Sequence, residues 1–410
     1  MPQPSPIPAM PAAPARPRLT SIDWLRGLVM ALMLIDHTRD FMLGETFWHR
    51  ATDLSVISSG AFVTRWITHF CAPIFVFLAG LSIHLQLRAG KAPEAVRRFL
   101  WTRGLWLVFC EFTVVTVWFN LRWNPMGVPV VAQTIWALGL SMILMSFLIR
   151  LPRGWVLAVG ALLVFGHNLL DGVHVARWSG PGSAGAWDQL WTVLHQGGPW
   201  TPFGGSFPRI HIAYPLIPWP GVMALGYGLG RVFDQESVRR RRTLAVLGVL
   251  CILGFVAIRA LDSFGDAAHW RTQATAFRTL LSFVNTTKYP PSLLYLLMTI
   301  GPGLLVLAWR EGRVDGILDR ALVTLGRVPM FFYLLQWPMA HGMGILFHAL
   351  AGKDWRAIIH QDDPLPANIG FGLGGSYLAW AVGLALLFPL CKWFAGVKRR
   401  HADWWWLSYL

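Results

Sequence analysis

Charged side chains are scarce in this chain. Asp, Glu, Lys and Arg make up 13% of 410 residues, about half the roughly 25% of ordinary soluble domains. So few charges cannot cover the surface of a soluble protein this long, and much of that surface is expected to face lipid. Acidic residues are the rarer sign, 20 against 35 Lys and Arg. An excess of positive charge suits nucleic acid when it gathers on one soluble face. Here it falls in short clusters between apolar runs, so nucleic acid is not an expected partner.

Cysteine is scarce as well. Cys71, Cys110, Cys251 and Cys391 all lie within apolar runs. None has metal-knuckle spacing, no disulfide framework follows, and each reads as a small buried hydrophobe. Residues Met1 to Pro17 lack the apolar core and small-residue cleavage site of a signal peptide. Residues 1–18 are therefore expected to be a disordered cytoplasmic tail, with the first span directing insertion. Neither a P-loop nor a dinucleotide fingerprint occurs, and no internal repeat is visible.

What the chain does have is ten apolar segments long enough for a hydrocarbon core about 30 Å thick. They cover 24–43, 61–84, 99–119, 131–149, 154–170, 211–230, 243–261, 292–309, 328–349 and 370–391. The fifth is short and the ninth contains Pro338, so one of the two is expected to be tilted, re-entrant or broken. The expected fold is an all-α polytopic membrane bundle of about ten transmembrane helices, with both termini cytoplasmic. Residues 19–397 form a single domain and 398–410 an interfacial tail carrying Trp404, Trp405 and Trp406 beside Lys398, Arg399 and Arg400.

Charge placement tests that count independently. With a cytoplasmic N-terminus, 23 of the 35 Lys and Arg fall on the inner side and 12 on the outer, although the outer loops are longer. The inner set includes Arg88, Lys91, Arg97, Arg98 and Arg103, then Arg150 and Arg153, then Arg231 and Arg239 to Arg242. Such a bias fixes orientation, and missing one span would reverse every later loop. A bacterial cytoplasmic (inner) membrane is the expected location. The outer loops 171–210, 262–291 and 350–368 are too short for independent domains. They read either as plain connections or as a cap over the outer mouth; the last contains Asp362-Asp363-Pro364. Most of the 23 Trp are explained by interface anchoring.

Span one concentrates the ionisable residues. Ser21 and Asp23 suit a helix start, and Asp23 and Arg26, three apart, can pair. Arg26 precedes His37 by eleven residues, near three turns, which sets both on one side about 16 Å apart. Ionisable groups inside a span face a cavity or a partner. Histidine is the natural general base near neutral pH, and a carboxylate such as Asp36 fixes its tautomer. Asp36 points roughly 100° away from His37, so the orienting acid could equally come from another helix. Arg39 and Asp40 complete this cluster. His69, with Arg65 in the outer part of span two, is a second candidate; His49 in the intervening loop is a third. Weaker ones are Glu111, Gln133, His167 with Asn168, His195, His211 and His341. Asp36, His37, Asp40, His49 and His69 form no recognised ligand signature, and no metal is expected.

These residues fall within longer markers: Ser21-Ile-Asp-Trp-Leu-Arg-Gly27, Asp36-His-Thr-Arg-Asp-Phe41, and Thr64 to Gly80. Others are Gln133-Thr-Ile-Trp-Ala-Leu-Gly139, Tyr214 to Met223, Lys288-Tyr-Pro-Pro-Ser292 and Leu325 to Tyr333. Together they resemble the heparan-alpha-glucosaminide N-acetyltransferase catalytic-domain family over about Leu19 to Phe394. The Arg26–His37 spacing is also similar to the first-span motif of the wider transmembrane acyltransferase superfamily. The resemblance implies acetyl or another acyl group drawn from cytoplasmic acyl-CoA and delivered to a sugar hydroxyl or amine on the far side. It implies an arginine at the donor, for which Arg26, Arg97 and Arg98 are the candidates, and a histidine at the chemistry. Arg39, Asp40, Arg65, Lys288 and Tyr289 are then the candidates for acceptor binding. In lysosomal members of the family the catalytic histidine sits in the loop after span one, where His49 lies nearest by position, and an asparagine replaces His37. His37 and His49 therefore compete, with His37 preferred.

The expected partners are acyl-CoA, an extracytoplasmic glycan or sugar acceptor, and membrane lipid; monomer and homodimer both stay open. The alternative function is a transporter or exporter of a small envelope-related metabolite, which Pro and Gly breaks and charged spans would also serve. Against it stand the missing repeat and the concentration of the ionisable cluster in the first two spans. The orientation is directly testable by labelling introduced cysteines in intact cells. Residues 85–98, 231–242 and 310–320 should resist an external reagent, and 171–210 and 262–291 should react. The reverse pattern would overturn the topology.

Overall fold

The computed structural model describes residues 19–121, 130–202, 210–313, 316–360, 365–366 and 368–410. The expected tail 1–18 and Asp362-Asp363-Pro364 lie outside the described residues. The principal helices are α1 (Thr20–Met42), α2 (Ser59–Thr68), α3 (Cys71–Arg88), α4 (Pro93–Cys110), α5 (Thr134–Leu148), α6 (Arg153–Gly166) and α7 (Pro218–Gly228). They continue with α8 (Ser237–Leu261), α9 (Ala276–Val284), α10 (Leu293–Arg310), α11 (Ile317–Gly326), α12 (Pro329–Leu350) and α13 (Leu373–Arg400).

Each of the ten expected spans contains helix, although the fourth and sixth open in short strands at 131–132 and 211–212 and the second is divided; six helical runs are long and apolar enough to cross a membrane. They are Ser59–Arg88, Pro93–Asn120, Arg153–Leu170, Ser237–Leu261, Leu293–Arg310 and Leu373–Arg400. The other four have physical reasons for falling short. α1 carries Asp23, Arg26, Asp36, Arg39 and Asp40; α12 carries Gln336, His341 and His348; α5 and α7 are short. The polar side chains of α1 and α12 turn inward, since Asp23, His37, Arg39, Gln336, His341 and His348 are all buried.

α1 is the central helix. It packs against α2, α3, α10, α11, α12 and α13. α8 and α13 lie at the periphery and turn apolar side chains outward, among them Leu250, Leu253, Leu386 and Leu390. α12 runs through Pro338 without interruption, so the ninth span is not broken there. The break falls in the second span instead, where His69 and Phe70 separate α2 from α3. Pro73 has no N–H to offer the carbonyl four residues back, and the Tyr295 hydroxyl donates to that His69 carbonyl instead at 2.8 Å. Backbone freed at membrane depth needs such a partner.

Two helix crossings depend on glycine. A Cβ on Gly27 would lie 1.8 Å from the Leu322 carbonyl oxygen of α11, and one on Gly326 would lie 1.8 Å from the Asp23 oxygen of α1. The backbones of α1 and α11 are thus in direct contact. Gly80 of α3 meets the Met223 oxygen of α7 in the same way, at 1.9 Å.

The segments that connect the helices carry structure as well. β1 (Val130–Ala132), β2 (Gly198–Trp200) and β3 (Ile210–Ile212) form a small sheet of order β1-β3-β2, parallel between β1 and β3 and antiparallel between β2 and β3. α9 lies in the 262–291 segment, where Arg278 donates to the carbonyls of Leu54 at 2.7 Å and Ile57 at 2.9 Å.

Replacing Gly326 by Val should shift α1 against α11, at a cost above the roughly 1–3 kcal/mol of ordinary overpacking. Thermal unfolding of the detergent-solubilised protein should show a markedly lower midpoint than Gly154→Val, whose added side chain begins in open space. Equal midpoints would contradict the close crossing.

Candidate functional site

The C-terminal half of α1 places Asp36 against α2. Arg65 donates to both Asp36 oxygens at 2.6 and 2.5 Å, Arg39 donates to Oδ1 at 2.7 Å, and Thr68 Oγ1 donates to the same oxygen at 2.8 Å. Arg39 also pairs with Asp40 at 2.5 Å. The geometry follows from helical spacing: Asp36 and Arg39 are three apart on α1, and Arg65 and Thr68 three apart on α2, so each pair shares a face. A carboxylate taken out of water costs several kcal/mol unless its lone pairs are engaged, and here two guanidiniums and a hydroxyl engage them.

His37 is turned away from this network. Its ring lies 3.7 Å from the Trp337 ring of α12, centroid to centroid, and its buried Nδ1 has no hydrogen-bond partner. Asp36 makes no hydrogen bond to it among the described residues. Aromatic side chains wall this face: Phe119 packs edge-on to Trp337, and His341 stacks on Phe41 at 4.3 Å. His69 is 1% exposed, stands edge-on to Tyr295 at 5.5 Å, and leaves both ring nitrogens without a partner. Buried polar atoms are nearly always paired, so two adjoining helices carrying unengaged imidazoles form an unusual place in the bundle.

The segment from 285 to 292 brings in Lys288 and Tyr289. Arg65 Nη2 donates to the Tyr289 hydroxyl at 3.2 Å, and Lys288 interacts electrostatically with Asp36, His37 and His69. This segment is held from behind by Asp266 and Arg259, which the sequence gave no reason to select, and by the weaker candidates His167 and Asn168. Asp266 accepts from the Thr287 N–H at 2.8 Å and from the hydroxyls of Thr287 and Ser292 at 2.6 and 2.7 Å. Arg259 donates to the carbonyls of Phe283 and Asn285, each at 2.9 Å. His167 Nε2 lies 2.9 Å from the Pro291 oxygen, and Asn168 accepts from the Leu293 N–H at 2.8 Å. Ser292 caps α10.

The remaining candidates lie apart from this cluster. His49 is exposed and interacts electrostatically with Asp53; it makes no contact with Asp36, His37 or His69 among the described residues. Arg26 is near the other end of α1, bonded to Asp23, to the Gly326 carbonyl and to Ser82 of α3, each at 3.2 Å. Arg103 of α4 is its electrostatic neighbour. Arg97 donates to the Ser146 carbonyl at 3.1 Å, and Arg98 is exposed. Glu111 is fully buried in a π-helical turn, Glu111–Val115, and accepts the Trp136 N–H at 2.9 Å near the start of α5. A carboxylate is favoured at a helix N-terminus, which accounts for one oxygen; the other, Oε1, has no partner. His195 pairs with Asp171 at 3.1 Å in the outer loops. Among the described residues no three His, Cys, Asp or Glu side chains converge as metal ligands.

No curated protein matches the chain. The family described as heparan-alpha-glucosaminide N-acetyltransferase, catalytic, matches residues 18–259, a stretch that contains α1, α2, Arg26, Asp36, His37, His69 and Glu111. That match covers more than half the protein and takes in α1 and α2, while α10 and α12 lie beyond it; the chain belongs to this family of membrane acetyltransferases.

Proposed function

We propose that the protein transfers an acyl group, acetyl above all, from acyl-CoA on the cytoplasmic side of a bacterial inner membrane to a sugar hydroxyl or amine on the opposite side. The observation that carries this reading is the pair of buried histidines with unengaged ring nitrogens, His37 and His69, beside the Asp36 network. A base must be within reach of the proton it takes and free to take it. His37 meets the second requirement, because neither Asp36 nor any other described carboxylate occupies its Nδ1.

In this mechanism His37 removes the proton from the acceptor O–H or N–H as that atom attacks the thioester carbonyl. The C–S bond then breaks, and the thiolate leaves as CoA with the proton returned by the imidazolium. Trp337 fixes the ring plane, and Phe41, Phe119 and Trp337 exclude water, which protects the thioester from hydrolysis. His69, Arg39, Asp40, Arg65, Lys288 and Tyr289 bind and orient the acceptor. Asp36 acts as a positioning residue, since its bonds tie α1 to α2 on either side of the acceptor.

The donor end is assigned to Arg26, with Arg97 and Arg98 toward the nucleotide. His37 lies seventeen residues beyond the start of α1, roughly 25 Å along the helix, and Arg26 lies about 16 Å nearer that start. An extended pantetheine arm bridges such a distance. The supporting chemistry at Arg26 is a fixed cation beside the serine and carbonyl of two other helices, suited to a charge-assisted contact with a phosphate.

Transfer from labelled acetyl-CoA by purified protein tests the reading. His37→Ala should lower kcat by about 10²- to 10⁴-fold with donor binding retained. His69→Ala should cost less and act mainly on the acceptor KM, whereas Arg26→Ala should act mainly on the donor KM. A dead His49→Ala variant beside a near-normal His37→Ala variant would move the base to the loop histidine. The absence of any thioester consumption by the wild-type protein would overturn the acyltransferase reading.

A further inference from the structure

Beyond α13 the chain does not leave the bundle. The helix ends at Arg400, and a short 3₁₀ turn, Trp405–Tyr409, folds back onto α4. Leu407 is 3% exposed. The Tyr409 ring stands edge-on to Phe99 at 5.8 Å, and its hydroxyl lies 2.5 Å from Thr102 Oγ1. Arg103 donates to the Ser408 carbonyl. Phe99 is three residues before Thr102 and four before Arg103, so one face of α4 receives the whole turn.

That face belongs to the donor end assigned above. Arg103 is the electrostatic neighbour of Arg26, whose side chain is itself only 16% exposed. Among the described residues Arg103 has no carboxylate partner. It has the Ser408 carbonyl and the Phe99 ring, 5.7 Å from the guanidinium carbon. A carbonyl supplies an acceptor but no charge, so the cation stays uncompensated. The turn thus occupies a guanidinium that a phosphate at Arg26 would also reach. It has another place to go as well. Trp404, Trp405 and Trp406 are exposed, and Trp404 stacks on His401 and Trp406. Tryptophans beside Lys398, Arg399 and Arg400 suit the headgroup layer of a membrane. Docking therefore depends on one buried leucine, one hydroxyl pair and one guanidinium bond, a contact set small enough to open locally.

We propose that Trp405–Tyr409 is a gate on the donor entrance. Docked, it holds Arg103 through the Ser408 carbonyl; released, it leaves that guanidinium beside Arg26 to meet the phosphates of acyl-CoA. This rests on the acyltransferase reading above and adds regulation to its donor site. The turn and the donor compete for one cation, so each weakens the other's hold by the same factor. The tryptophans keep the released segment at the membrane surface, close enough to dock again when CoA leaves.

Equilibrium binding of CoA to the detergent-solubilised protein tests the gate. Leu407→Asp, and separately truncation after Trp404, should release the turn and tighten CoA about tenfold, the factor regained when a site closed nine-tenths of the time is left open. Thermal unfolding identifies which variants are folded. Arg103→Gln should abolish the gain from Leu407→Asp, because release then exposes no cation. In the full chain, CoA should raise maleimide labelling of Leu407→Cys by a similar factor over the wild-type background, since that position is buried only while the gate is docked. Unchanged or weaker CoA binding in a folded released variant, a gain that survives Arg103→Gln, or labelling that ignores CoA would overturn the proposal. Ungated CoA binding in a protein that does transfer acetyl from acetyl-CoA counts against the gate alone. Gated binding with no thioester consumed counts against the acyltransferase reading alone.

Discussion

One largely buried carboxylate organises this bundle around the C-terminal half of α1. Asp36 accepts from Arg39 on its own helix and from Arg65 and Thr68 on α2, so the central helix and the broken second span cannot move apart without stranding a charge. Removing one partner from such a buried pair typically costs several kcal/mol, because the remaining charge has no water to return to. The consequence for His37 is positional. As the next residue, it is turned roughly 100° around α1, away from the ion pairs and onto Trp337. The network therefore sets the imidazole without bonding to it.

The second constraint is the gap between α2 and α3. Pro73 leaves the His69 carbonyl without its helical donor, and Tyr295 of α10 supplies one. That single bond joins the interrupted span to the helix whose N-terminus is capped by Ser292 and preceded by Lys288 and Tyr289. The imidazole of His69 is thus held at a backbone break, with the Lys288-Tyr289 segment anchored to the same place. Under the proposed function, membership of a membrane acetyltransferase family gives this convergence its chemical meaning: an aromatic-walled site would protect a thioester from water.

Much of this was legible from residue order. Each of the ten apolar runs contains helix, six of them in helical runs long and apolar enough to cross a membrane, and the spacing of Asp23 with Arg26 and of Asp36 with Arg39 anticipates pairs that the structure contains. The His69-Phe-Cys-Ala-Pro73 spacing carried the signal for the break in the second span; suspicion fell on Pro338 instead, where the helix is continuous. A proline marks a lost hydrogen bond but not whether a neighbour will restore the helix. Asp266 and Arg259 were not legible as site residues. Their partners are backbone groups twenty or more positions away, and no local pattern records such a contact. α9, α11 and the three short strands were likewise hidden: such brief elements have too little periodicity to stand out, and β1 and β3 open apolar runs that read as helical spans.

The central claim is that the thioester is delivered to His37 inside the bundle. A structure determined with a non-hydrolysable acetyl-CoA analogue tests it most directly. The account predicts the sulfur and adjoining carbonyl analogue within hydrogen-bonding reach of the His37 imidazole, with the nucleotide toward Arg26. A sulfur beside His49, or an analogue that stays outside the helices, would contradict it.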